Sequence, residues 1–122
     1  MVAAERKAGA LDAVIGDEDD VAIAAITAAE LLVGVELADA RRRPRRAAFV
    51  EDILSAIPVE SYDLGVAREH ALLLAHTRRI GSARGAHDLI IAATALSRDR
   101  IVVTSDPNGF EGLPGLALRS PS

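Results

Sequence analysis

The sequence predicts an α/β domain built on a mostly parallel sheet flanked by helices. Three observations point that way. Short β-branched apolar runs alternate with longer stretches of helical spacing, no repeat or interdomain linker interrupts the 122 residues, and half of the residues are hydrophobic. A chain of this length is expected to bury roughly two thirds of its unfolded surface, so a real core is possible and one domain over residues 1–122 is expected.

Ala4, Ala8, Leu11 and Ile15 recur at helical spacing, with Gly16 as a stop, so the chain is expected to open on a helix. After the acidic loop "DEDD", residues 17–20, "VAIAAIT" is apolar throughout, as in a strand covered on both faces. "TAAELLVGVELA" starts a helix and "PRRAAFVEDILSAI" a second, with Pro44 near its first turn. "IPVESY" reads as a modest strand. Val66, His70, Leu73, Leu74, Thr77 and Ile80 then mark a helix closed by Gly81. "RGAHDLIIAATAL" gives the last helix, "RIVVTSD" a strand followed by turn chemistry, and "GLALRS" a weak final strand.

Composition narrows the chemistry. Phe49, Phe110 and Tyr62 are the only aromatics, which disfavours stacking bases on aromatic platforms. A formal charge of −4 offers no global attraction to nucleic acid, so a polyanionic substrate needs local arginines or bound cations. The absence of cysteine removes thiolate chemistry and disulfides and suits a reducing compartment. The apolar run "VAIAAITAA" is far shorter than the ~18 residues a bilayer span requires. Glu5, Arg6, Lys7 and Asp12 break any signal-peptide core. A soluble cytoplasmic protein is expected, with no membrane partner.

In a parallel sheet, helices leave from the carboxyl ends of the strands, and the loops there collect functional groups. Glu30 lies one turn into the helix after "VAIAAIT", and Asp106 directly follows "IVVT". The Asp88 helix ends near Arg98, just before the next strand, so its start lies ~16 Å back, near the carboxyl edge. The three acids are therefore expected to converge. Carboxylates brought together repel, and a divalent cation removes the conflict. Carboxylate oxygens with no histidine or cysteine expected nearby suit Mg²⁺ or Mn²⁺, which can ionise a water and stabilise charge on phosphoryl oxygens.

Each acid also has a structural explanation. Thr27 and Glu30 form a T-x-x-E capping box, Asp88 suits a helix first turn, and Asp106 precedes Pro107 in a turn. "DEDD" precedes a strand and belongs at the amino edge as a solvated loop. His70 and His76 point to different sides of a helix, and His87 reads as a capping or surface residue. "RRRPRR", with Arg41, Arg42, Arg43, Arg45 and Arg46, is either a solvated connection or a phosphate-contacting patch. Thr104 and Ser105 either orient a ligand water or satisfy turn backbone. "GFEGLPG" lacks the setting and the lysine of a phosphate loop.

"ITAAELLVGVELA", "HDLIIAATAL" and "IVVTSDPNGFEGL", in that order, resemble the PIN-domain ribonucleases, especially the VapC toxins of bacterial toxin–antitoxin pairs. The similarity runs over essentially the whole chain. It implies a three-layer PIN-like fold and metal-dependent endonucleolytic cleavage of RNA, in a homodimer neutralised by a cognate antitoxin. It further implies that Glu30, Asp88 and Asp106 are ligands of Mg²⁺ or Mn²⁺, with Thr104 as the hydroxyl beside them. Position 109, an acid in many members, is Gly109 here.

The resemblance departs most at the start. Such toxins open with an apolar strand ending in an aspartate, whereas Met1 falls where the following helix begins. The first central strand and its acid are thus expected to be absent, leaving unpaired backbone rows and a gap in the core. On that expectation a second function competes with the ribonuclease: a weakly active or inactive PIN-like module that binds an antitoxin or a second copy. A receiver-like phosphoryl acceptor is set aside, because the sole lysine, Lys7, lies in the expected opening helix.

Overall fold

The computed structural model describes residues 1–5 and 20–121. Five strands form one sheet in the order β3-β2-β1-β4-β5: β1 (Val2–Ala3), β2 (Ala22–Ala24), β3 (Val59–Glu60), β4 (Val102–Val103) and β5 (Leu118–Arg119). Every pairing is parallel. Helices α1 (Ala25–Glu36), α2 (Arg43–Ala56), α3 (Leu64–Ile80) and α4 (Ala86–Ser97) join them.

The pleat sorts side chains into two cores. Val2, Ala24 and Val102 pack with Val66, Leu73, Leu89 and Ile91 of α3 and α4. Their neighbours Ala3, Ile23 and Val103 pack with Leu31, Val35, Val50 and Ile53 of α1 and α2. Alternate residues of two- and three-residue strands thus serve opposite faces, which gives the expected three layers and explains why the strands read as continuous apolar runs.

One expectation is corrected. The central strand is present: Val2–Ala3, read from sequence as leading into an opening helix, lies between β2 and β4. Val2 N donates to Ile101 O at 2.8 Å, Ala4 N to Val103 O at 3.1 Å, and Ala22 N to Met1 O at 2.9 Å. Without these residues the facing rows of β2 and β4 would stay unpaired, and satisfying them outweighs the modest helical preference of Val-Ala-Ala. The rest of the expected opening helix, with Ala8, Leu11, Ile15 and Gly16, lies outside the described residues, as do Asp17, Glu18 and Asp19.

A second correction concerns α1. It begins at Ala25 with Ala24 as its N-cap and no side-chain cap, so Thr27 and Glu30 are not a capping box. The strand expected over residues 21–27 ends at Ala24, and the helix takes the remaining residues.

Helices α3 and α4 form an antiparallel pair. Arg98, just beyond α4, donates to Glu60 at 3.0 Å and to Ser61 O and Asp63 at 3.1 Å, while Asp63 caps α3 through Val66 N. Residues 61–63 therefore make the return to the amino side. The chain then rises through α3 to Gly81, whose left-handed φ of 65° ends that helix. Only residues 82–85 are needed to start α4 near the carboxyl edge.

Candidate active site

Strand order reverses between β1 and β4, since β1, β2 and β3 run to one side and β4 and β5 to the other. In open parallel sheets, the crevice beyond the carboxyl ends at such a reversal is where ligands bind. Glu5 follows β1 at that place. It is only 9% exposed, and its carboxylate accepts from Ser105 N at 2.8 Å and from Ser105 Oγ at 3.1 Å, beyond the end of β4. Sequence reasoning missed Glu5, because the strand that places it was read as helix.

The residues after β4 fold into a tight turn. Thr104 is buried, and its hydroxyl accepts from Asp106 N at 3.0 Å and donates to Asp106 O at 3.2 Å. Its bonds in this structure are thus to turn backbone. The Asp106 carboxylate accepts from Asn108 N at 3.4 Å, opening the short 3₁₀ turn Pro107–Gly109. Asp88, third residue of α4, brings its carboxylate against Gly109, where a Cβ would fall 2.9 Å from Asp88 Cγ.

Glu30 sits on the neighbouring helix, and its carboxylate contacts Nδ1 of His87, the residue before Asp88. His87, expected as a surface or capping group, instead links α1 to the start of α4. One turn before Glu30, the Thr27 hydroxyl is buried and has no hydrogen-bond partner among the described residues. Glu5, Asp88 and Asp106 thus lie at or against the segment that follows β4, while Glu30 is tied to the start of α4 through His87.

These donors are oxygen atoms of the kind Mg²⁺ and Mn²⁺ prefer. Among the described residues, however, no three Asp, Glu, His or Cys side chains stand close enough together to hold a metal ion. Glu5 is engaged by Ser105, Glu30 by His87 and Asp106 by its own turn. As placed, the side chains do not form a metal cage.

The five arginines divide by role. Arg43 donates to Glu36 O at 2.9 Å and to Ala38 O at 3.4 Å, satisfying the end of α1. Arg42 pairs loosely with Asp39, both exposed. Arg46 lies against α1, its Nη1 3.7 Å from where a Cβ of Gly34 would stand. Arginines at the start of α2 oppose that helix's dipole, so local helix electrostatics do not account for them.

Other motifs fall elsewhere. Asp20 of the acidic loop is at the amino edge, accepting from Arg100 at 2.9 Å, and its carbonyl receives the Met1 ammonium at 2.8 Å. His70 meets the Tyr62 hydroxyl at 2.8 Å on α3. No helix among the described residues is long and apolar enough to cross a membrane.

Comparison with known proteins returns the same kind of fold, a parallel α/β sheet flanked by helices. A family model for the PIN domain matches residues 1–116, and the chain belongs to the PIN-domain family. It is 35% identical over 96 residues to a protein named tRNA(fMet)-specific endonuclease VapC from Salmonella typhimurium, a match covering 79% of this chain and 71% of that protein. Among solved structures, DNA-bound VapBC from Salmonella typhimurium superposes with a TM-score of 0.84 at 26% identity, covering 99% of this chain and 98% of that one. VapBC-5 from Mycobacterium tuberculosis gives 0.71 at 36% identity, covering 84% and 81%.

Proposed function

We propose that this chain is a single-domain, metal-dependent endoribonuclease toxin that cleaves RNA phosphodiester bonds and is neutralised by a cognate antitoxin. The similarity to a protein named an endonuclease supports the activity. Similarity to VapBC complexes supports the antitoxin. The observation that carries the reading is the Glu5–Ser105 contact at the sheet's reversal point, beside the turn that Asp106 opens and against which Asp88 packs at Gly109. In this reading Glu30, Asp88 and Asp106 bind Mg²⁺ or Mn²⁺ beside Thr104, and the protein acts in the cytoplasm as a homodimer. Arg41, Arg42, Arg45 and Arg46 contact RNA phosphates, with Arg43 contributing charge from its capping position. Since the side chains do not form a cage as placed, metal binding requires Glu30 to leave His87.

That same shortfall favours a second reading, a PIN-like module with little activity that binds an antitoxin or a second copy. Exposed Leu32, Val33 and Phe49 on α1 and α2, with Leu37 just past α1, are available to it.

The deciding experiment is RNA cleavage with Mg²⁺ or Mn²⁺, with and without EDTA, comparing the wild type with Glu30→Ala and Asp88→Ala. Supporting residues of metal sites commonly cost 10–100-fold, so loss of a ligand is expected to cost on the order of a hundredfold or more. EDTA should abolish cleavage. Unchanged rates in both variants remove the ribonuclease reading, and a wild type without activity that still binds its antitoxin establishes the module.

A further inference from the structure

A ribonuclease site crowded with carboxylates must still admit a phosphodiester and stabilise the extra negative charge of its transition state. A fixed guanidinium does this well, because its planar fork matches two phosphoryl oxygens and its charge persists at all working pH values. Arg84 has that placement and lies outside the arginine cluster. It belongs to the five-residue connection 81–85 before α4, four positions ahead of Asp88. Its Nη1 donates to Asn108 O at 3.5 Å, its Nε to Ser82 Oγ at 3.4 Å, and its Nη2 lies 3.7 Å from where a Cβ of Gly112 would stand. The guanidinium therefore lies along the turn that carries Asp106 and Gly109, while Asp88 touches the same turn from α4. Both of its hydrogen bonds are at the long limit, weak enough to yield to a charged acceptor.

Resting on the ribonuclease reading, we infer that Arg84 is a catalytic residue that contacts the scissile phosphate of the RNA and neutralises charge on its non-bridging oxygens as the bond breaks. The partial anchoring by Ser82 and Asn108 holds the side chain along the turn that carries Asp106 before substrate arrives. This limits the reorganisation the reaction would otherwise require.

The test compares wild type, Arg84→Gln and Arg84→Lys in the full chain. Glutamine can still donate to Asn108 O but carries no charge. Lysine keeps the charge and loses the fork. RNA binding is followed by fluorescence anisotropy in EDTA as a function of salt, and cleavage by kcat and KM. One lost phosphate contact on a single strand lowers the slope of log affinity against log salt by about 0.7. Arg84→Gln is expected to show that drop with an unchanged melting temperature, together with a fall in kcat of about 10²–10³. Arg84→Lys should recover the salt slope and only part of kcat. An Arg84→Gln protein with wild-type salt slope and kcat overturns the inference, as does a loss explained wholly by unfolding with no change in slope. If the wild type cleaves no RNA, the ribonuclease reading fails, and the salt slope alone still decides whether Arg84 touches phosphate.

Discussion

The carboxylate of Asp88 fills the space that a side chain at Gly109 would need. A Cβ there would stand 2.9 Å from Asp88 Cγ and closer still to Oδ2, a separation real atoms do not tolerate. The missing side chain at Gly109 and the position of Asp88 are thus one feature. An acid at position 109 would require Asp88 to move, so the two carboxylates could not both occupy the arrangement seen here.

Gly109→Ala is expected to displace the Asp88 carboxylate, and because the displaced atoms end a part-exposed side chain the cost to the fold should stay at the low end of overpacking, about 1 kcal/mol. Cleavage should fall as in Asp88→Ala. In a double-mutant cycle, Asp88→Ala should relieve much of the Gly109→Ala penalty, since the clash partner is gone. Strictly additive stabilities from urea denaturation would mean that the two residues do not share this space.

Glu5 ties the end of β1 to the end of β4 through two hydrogen bonds to Ser105. Bonds to a charged acceptor contribute about 1.5–3 kcal/mol each, and water replaces part of that when the acceptor is removed. Glu5→Ala should therefore cost about 3 kcal/mol in urea denaturation, with Glu5→Gln intermediate. A Glu5→Ala protein as stable as the wild type would show that the switch-point contact is not structural.

Asp63 gives a pH signature. The Val66 N–H, and after it the Arg98 guanidinium, hold its carboxyl below the ordinary 3.8. A carboxylate with a depressed folded pKa contributes stability that is present above the unfolded value and is lost as pH falls through the folded one. Asp63→Ala should lower Tm at neutral pH, and the gap to wild type should close in acid below pH 3.8. If the gap persists unchanged there, the charge of Asp63 is not what the fold uses.

His70 should titrate in the same direction for a different reason. Burial lowers its pKa from the ordinary 6.5, so the folded state favours the neutral imidazole that meets the Tyr62 hydroxyl. Stability from this source is present above pH 6.5 and is lost as pH falls through the folded value. Its NMR titration midpoint should lie below 6.5, and a midpoint at or above that value contradicts the burial seen here.

The long α3 and α4 helices were legible because about three to five turns of periodic apolar residues leave few alternatives, and Gly81 ends α3 where the sequence indicates. The carboxyl-edge locations of Asp88 and Asp106 followed from chain order alone. What failed was local and short. Val2–Ala3 is too brief to show a period of two, and its strand state is imposed by β2 and β4 on either side. Losing that strand in the reading also hid Glu5. Thr27 looked like a cap because "VAIAAIT" carries no mark of where strand yields to helix, and the structure makes the change at Ala24. The Glu30–His87 contact joins residues on separate helices, a pairing that no spacing encodes.

The sheet's outer margins are brief. β3 and β5 are each two residues long, and each finishes on a charged side chain, Glu60 or Arg119. A foreign strand laid along either one would find too few backbone groups to grip and an ionic group to desolvate. Concentrated solutions of this protein should accordingly resist growth into ordered β fibrils.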